Sequence, residues 1–505
     1  MFAAGLLLGG CGASDATSAG VNAIAVAGEA APDLPDGYLL EGIDPNYTMG
    51  AAGHVLFSGS ANIQRGSAAD RKKVLWFGQP GTLQAIIETG QPIPDMDGDA
   101  QVSDFSPLPR IVTRSGDAAF IVRPSVVPRG YLPQALLAYR DGTLETVVAN
   151  GRDVPVPEGS APLLSISQFV MTDAGVLIMG EFARRRSALW FWDFSTLRLV
   201  IADDTETDIG RLRCKIRSLA STTLDMNSKG FAVFRASTFG NDCTYGGTIG
   251  WDSQSNTLVA VTMNRQPIAP DSTEHFQSTT GDARISDDGH IALHAELYDI
   301  EAQANARSMT MLQRKAGGPT TGLLDKSTPI DDAPDLQLTH AIHGNGMAPL
   351  GDGGLAHFVR NNRDRIILRS QLGGKPQHRL IAHQTTTVDD SVAARIGNAA
   401  ANRDGDIVLT SFIDDGKPGG TYQQQLWLSA RNGDLSRLAY PGSPVVNKDN
   451  MSVERIEASN QSHEPTMVST QGGRSRTIAD NGSYVFAGRV QQESGAVNAL
   501  FVAYF

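Results

Sequence analysis

At 505 residues the chain is long enough for about three average domains, and its 41% hydrophobic content is sufficient for a packed core. No long charged or low-complexity run breaks it up, which excludes a largely disordered chain. The net charge of −12 argues against nucleic acid or anionic lipid headgroups as the main partner.

The chain opens with MFAAGLLLGGC, a short apolar run ending in Leu8-Gly9-Gly10-Cys11. The run suits a signal h-region and is too short for a membrane span, which needs about twenty apolar residues. It resembles the lipobox of bacterial lipoproteins, which implies cleavage of residues 1–10 and a lipid on Cys11. Residues 11–22, small and polar at first, read as the tether. Gly12 stands where an aspartate would resemble an inner-membrane retention signal. The expected location is therefore the cell envelope, lipid-anchored: the outer membrane, on its periplasmic side or at the cell surface, if the host has one.

From residue 23 to 505 one pattern repeats. A polar turn ending in glycine launches a short apolar strand, at Gly53, Gly116, Gly175, Gly230, Gly289, Gly353, Gly405 and Gly482. The strands read HVLF (54–57), DAAF (117–120), VLIM (176–179) and FAVF (231–234), and later IAL (291–293), LAHF (355–358), DIVL (406–409) and SYVF (483–486). A period near sixty signals stacked or circular units, and a tight turn between strands often needs the positive φ that glycine adopts freely. A second hairpin follows in each unit, as in VLWFGQPGTLQAIIETGQPIP (74–94), ALLAYRDGTLETVVANGRDVP (135–155) and LWLSARNGDLSRLA (426–439). Each full unit is thus four short strands whose apolar runs suit burial on both faces.

The ends complete each other. The last unit stops after ALFVAYF (499–505), its third strand, and AIAVAGEAAP (23–32) matches the missing fourth. The pattern predicts an all-β fold: a β-propeller of eight four-stranded blades, closed by pairing the N-terminal strand into the C-terminal blade. Closure removes the edges that the alternative, an open solenoid, would expose.

Beyond Cys11, the cysteines are Cys214 and Cys243. An even pair in an exported domain reads as a disulfide. Cys214 falls in the connector entering the fourth unit and Cys243 in that unit's mid-blade connector, which in a propeller share a face.

That face carries the variable connectors, 58–73, 123–133, 236–247, 296–307 and 413–424, with the segment between blades at 446–477 the longest insertion. Variable loops on a rigid scaffold are the default binding site. Individual ligand candidates are few. Asp95, Asp97 and Asp99 alternate like the opening of a calcium loop, but Ala100 and Ser106 stand where glycine and glutamate are needed, and DLPDG (33–37) marks the same place as a turn of the repeat. His340 and His343, and His290 and His294, have metal-like spacing that ten histidines produce readily by chance. The run Arg360-Asn361-Asn362-Arg363-Asp364-Arg365 reads as turn charges, and Gly373-Gly374-Lys375 as a hairpin turn. No G-x-S-x-G, H-E-x-x-H or P-loop occurs. No metal, cofactor or catalytic residue is expected, and the ligand-binding residues are unassigned.

The unit, a turn before [apolar]-A-F, then a Trp hairpin, then V-A-x-x-G-D-x-x-P, resembles a broad group of uncharacterised bacterial exported tandem-repeat proteins. Asn227-Ser228-Lys229-Gly230, Leu75-Trp76, Leu426-Trp427 and the stretch 90–94 carry the likeness, which implies a propeller and supplies no catalytic residues. Two functions remain. One is a binding or scaffold module that presents its variable-loop face to an envelope protein or glycan. The other is an enzyme, a hydrolase or lyase on a saccharide or other polymer, using carboxylates about 5–10 Å apart at the axis.

Overall fold

The structure is a computed structural model. It describes residues 20–505 apart from 64–69, 97–98, 107–109, 127–129, 221–223, 241–242, 244–245, 270, 280–282, 314–317, 319, 326, 337, 339, 342–345, 362–363, 372–375, 415–421, 458–466, 470–476 and 494. The expected signal segment 1–10, Cys11 and the tether up to residue 19 lie outside the described residues. Among the described residues no helix is long and apolar enough to cross a membrane.

The fold is an all-β propeller. Among the described residues, eight sheets of four or more strands follow one another along the chain. Seven are built from 38–88, 102–149, 165–202, 206–263, 274–324, 340–382 and 387–439, and are numbered sheets 1 to 7 here. The closing sheet joins the two ends of the chain: Gly20–Val26 is its outer strand, beside Gly495–Tyr504, Ser483–Gln492 and Ser452–Glu457. The N-terminal strand runs antiparallel to the last strand from Gly20 opposite Tyr504 to Val26 opposite Ala499. The ring therefore closes as the split repeat predicts, and the strand begins at Gly20, inside the stretch read as tether.

Burial explains why the sheets form a ring. The second and third strands are buried on both faces: Val55–Ile63 is buried through its first seven residues, and Lys72–Gly78 through its last five. Each sheet therefore needs an apolar neighbour on either side. Each neighbouring pair shares one apolar cluster, sheets 1 and 2 through Leu56, Leu75, Val102 and Phe120, and so on round the ring. The last cluster sets Val485 and Leu500 of the closing sheet against Leu40 and Phe57 of sheet 1.

All eight turn glycines sit at positive φ, from +76° at Gly482 to +149° at Gly175. At several, the neighbouring blade occupies the place a side chain would fill. A Cβ on Gly116 would lie 3.0 Å from the His54 ring of sheet 1, and one on Gly405 would lie 2.6 Å from the Arg369 guanidinium of sheet 6. The turns interlock as well as bend.

The connectors between blades depart from expectation. They do not stay on the variable-loop face but fold back as hairpins over the flank of the next sheet. Each starts with a bond such as Gly28 N–H to Leu40 O (2.7 Å), Gly90 N–H to Val102 O (2.8 Å) or Gly151 N–H to Leu163 O (2.8 Å). The proline of the repeat then meets the tryptophan of the next sheet: Trp76 Nε1 donates to Pro32 O (2.8 Å), and Trp190 Nε1 to Pro155 O (2.7 Å). The physical reason is the outer edge. Its unpaired N–H groups need acceptors, and Asp33 supplies one to Ala85 N–H (3.0 Å). The 446–477 segment also differs. It contains the closing sheet's inner strand, Ser452–Glu457. Met467–Ser469 pairs in parallel with 399–401 of sheet 7.

The closing strand is held by the same device. Asn447 on a connector hairpin donates its amide to Ala23 O (2.7 Å) and accepts from Ala23 N–H (2.9 Å). Lys448 pairs with Glu29 at 2.7 Å. Asn447→Ala removes both amide bonds and is expected to lower unfolding free energy by roughly 1–2 kcal/mol, read as a lower denaturant midpoint with an unchanged slope. An unaltered midpoint would show that the amide does not hold the closing strand.

Candidate functional site

Three places could bear function: the axis, the face of the mid-blade connectors, and the outer seams between blades.

At the axis three carboxylates, those of Asp44, Asp287 and Asp480, face arginines. The turn between the first two strands of sheet 2 carries Arg114. Its Nη2 lies 3.1 Å from Asp287 on the equivalent turn of sheet 5 and 3.1 Å from Asp480 on that of the closing sheet. None of these sheets neighbours another of the three except across the centre, so one guanidinium ties three blades together. Asp480 also accepts from Arg403 N–H (3.0 Å) of sheet 7, and Asp287 from Ser228 N–H (3.0 Å) of sheet 4. Higher up the inner wall, Arg110 fills the break in the inner strand of sheet 2. It donates to Ser58 Oγ (2.7 Å) and to the carbonyl of Asn46, and Ser58 donates to Asp44. Burial brings the Arg110 guanidinium down to about 10, against the pull of Asp44, so it stays charged at neutral pH. Paired glycosidase carboxylates need one member held protonated. These carboxylates have cationic partners instead.

The face opposite those turns is different. Among the described residues eight large apolar side chains are exposed, and six of them lie in or at the ends of the connectors between second and third strands. They are Ile63 of sheet 1, Val126 and Leu132 of sheet 2, Phe239 of sheet 4, Ile300 of sheet 5 and Tyr422 of sheet 7. The other two, Val392 and Val446, lie on connector hairpins. The disulfide belongs to this face. Cys214 and Cys243 are joined, with Cα atoms 5.5 Å apart, pinning the mid-blade connector of sheet 4 to the hairpin that enters it.

The outer seam between sheets 6 and 7 contains a polar cleft of about 660 Å³. Behind it lies a group of titratable residues that strand register brings together. His357 Nε2 is 2.8 Å from Ser370 Oγ, which is 2.8 Å from His378 Nδ1. The His378 ring also bonds to the Leu323 backbone. His357 Nδ1, the ring nitrogen turned away from Ser370, is buried without a partner. A serine between two histidines has the composition of a nucleophilic site, but Ser370 and His357 are 0% exposed. No substrate reaches them.

The remaining sequence candidates are accounted for individually. Asp95 adopts φ +54°, matching Asp33 at +56°. The DMDGD stretch is thus the connector turn of the repeat, and Asp97 lies outside the described residues. His290 packs over Gly353 of sheet 6 while His294 is buried in the sheet, so the two do not converge. His343, Arg363 and 373–375 lie outside the described residues, and the side chains of His340 and Arg360 are not described. Among the described residues no three His, Cys, Asp or Glu side chains are grouped to hold a metal ion. Arg110, Arg114 and the His357–Ser370–His378 group were not singled out by motif or spacing, because each is assembled across blades or strands.

A family of unknown function, DUF7453, matches residues 9–201. No curated protein matches the chain. Among solved structures the chain resembles the Dos1 propeller at 9% identity, covering 92% of this chain and 93% of that one, with a TM-score of 0.34. It resembles the polysaccharide lyase Uly1 at 12% identity, over 77% and 90% of the two chains, with a TM-score of 0.34. An α-L-arabinanase of Penicillium chrysogenum complexed with arabinobiose gives 11% identity over 79% and 95%, with a TM-score of 0.29. At such scores these likenesses carry nothing about ligand or chemistry.

The buried histidines set a pH dependence. Burial, with the nearby His378, holds His357 down at about 3, and burial also lowers His378. Unfolding frees each to protonate near 6.5, so stability is full above that pH and is lost as pH falls below it. His357 alone is expected to cost roughly 2 kcal/mol at pH 5. His357→Phe, though less stable at pH 7.5, should show a correspondingly smaller loss between pH 7.5 and pH 5 in urea unfolding. Equal losses in the two proteins would refute the assignment.

Proposed function

We propose that this chain is an eight-bladed, lipid-anchored envelope propeller that acts as a binding or scaffold module, with a protein as the partner of its mid-blade connector face. The blade number is supported by the eight inter-sheet clusters. The observation that carries the function is the segregation of exposed large apolar side chains: among the described residues, six of eight lie on one face, spread over five sheets. Exposed apolar and aromatic residues on a rigid rim are what protein interfaces use. The enzymatic alternative is less well supported, since Asp44, Asp287 and Asp480 face Arg110 or Arg114.

The lipid anchor on Cys11 rests on Leu8-Gly9-Gly10-Cys11, and the geometry of the ring gives it a consequence. Gly20 pairs with Tyr504, which also pairs with Ser483, directly after the Gly482 turn. The chain therefore enters the ring at the turn face, opposite the apolar connectors. Gly20 lies nine positions after Cys11, a reach of at most roughly 30 Å. A propeller held so close by its turn face presents the connector face away from the bilayer, at the outer membrane if the host has one.

Two experiments test this reading. Cys11→Ser should move the protein from the membrane to the soluble fraction and abolish incorporation of radiolabelled palmitate. Retention of both label and membrane fraction would remove the anchor. Val126→Asp, Leu132→Asp and Phe239→Asp together should abolish crosslinking to the envelope protein captured by the native chain, while Asp193→Asn on the turn face leaves it intact. An unchanged crosslinking pattern in the triple variant would exclude the connector face.

A further inference from the structure

The cleft at the seam of sheets 6 and 7 does not belong to the connector face, and its chemistry is its own. Its described walls are polar, with three guanidiniums, of Arg369, Arg379 and Arg431, lining it. They differ in what they are already bound to. Arg369 is buried, and its two terminal nitrogens donate to Asp352 (2.8 Å), Gly405 O (3.2 Å) and Arg431 O (3.0 Å), while its Nε has no partner. Arg379 donates to Asn432 O and stands 3.9 Å from Asp332. Arg431 is exposed, and among the described residues its hydrogen bonds run through its backbone, from Arg369 and to Asp406. Arg369 and Arg379 thus converge on the turn 431–433 of sheet 7, whose own Arg431 guanidinium has no carboxylate partner among the described residues.

The acidic groups of the cleft set the other half of the specificity. Asp331 accepts from His378 N–H (2.6 Å) and Asp332 from Leu380 N–H (2.9 Å). Each carboxylate keeps acceptor positions toward the cleft, and Gln371 and Gln377 add amides. A bare polyanion would meet two carboxylates, and a neutral sugar would leave Arg431 unused. A peptide added as a further strand is blocked, because these two aspartates already occupy N–H groups of the outer strand Gln377–Ala382. What fits is a ligand bearing both an anionic group, for planar guanidinium recognition, and hydroxyls, for carboxylates and amides. We propose that this seam binds an acidic saccharide, its carboxylate or sulfate on Arg431 and Arg379 and its hydroxyls on Asp331, Asp332 and the glutamines.

The seam between the closing sheet and sheet 1 is the internal control. It is built from the same parts, a connector hairpin, an outer strand and the turn of the next blade, yet it measures about 370 Å³ and its one described cation, Lys448, is paired with Glu29. The arginines are therefore not a general property of the seams.

Calorimetry at low ionic strength with tetragalacturonate and with a chondroitin sulfate tetrasaccharide tests the proposal. At least one should bind saturably, and Arg431→Ala, an exposed position whose loss should leave the melting curve unchanged, should weaken it at least tenfold. Lys448→Ala should leave binding as it was, and maltotetraose should not bind. Failure of both acidic sugars, or indifference to Arg431→Ala, overturns the proposal. So does sodium sulfate or tetraglutamate binding as tightly as the sugar, which would make the cleft a site for anions or acidic peptides.

Discussion

Every sheet of this chain is apolar on two faces, and no sheet can cover both by itself. That constraint dictates the rest. Phe57, Trp76 and Leu75 cannot be buried within sheet 1 alone, so the sheet must find the closing sheet on one side and sheet 2 on the other. A chain of such units is satisfied only when it has no first and last member. The N-terminal strand meets this requirement by leaving its own end of the chain and pairing with Gly495–Tyr504.

With the ring closed, its centre becomes an electrostatic problem. The turns at the inner rim bring carboxylates from several blades to one place, and the protein answers with arginines. Arg114 sits between Asp287 and Asp480, and Arg110 beside Asp44. The same carboxylates also accept backbone N–H groups from adjacent turns. The rim is thereby a lock between blades, whereas the opposite end, with its uneven connectors and exposed Phe239, Leu132 and Tyr422, stays open for contact.

What was legible in the sequence was local or periodic. The turn glycines announce a backbone conformation that each position needs for itself, and all eight adopt it. The strand missing at residue 505 and present at residue 23 could be matched because both are copies of one unit. Cys214 and Cys243 could be paired because one topology puts their connectors together. The arginine lock was invisible for the opposite reason: Arg114 and Asp480 are 366 residues apart, and neither belongs to a motif. His357, Ser370 and His378 meet only through the register of three strands, which places Ser370 opposite both Leu355 and His378. The connector hairpins were misplaced because their pull toward the outer edge comes from unpaired N–H groups on another part of the blade.

The joined ends also impose a schedule on biogenesis. Gly20–Val26 is made some 470 residues before Gly495–Tyr504, the strand beside which it lies. Until Tyr504 emerges, the nascent chain is a curved stack with one uncovered sheet at each end and a waiting strand beside the first. Sheets 1 to 7 can form in order during synthesis or export, but none of them completes the molecule. Loss of the last ten residues therefore removes far more than a terminal strand: it leaves both ends of the stack open, and a truncated chain has its own kind as the nearest source of a covering edge.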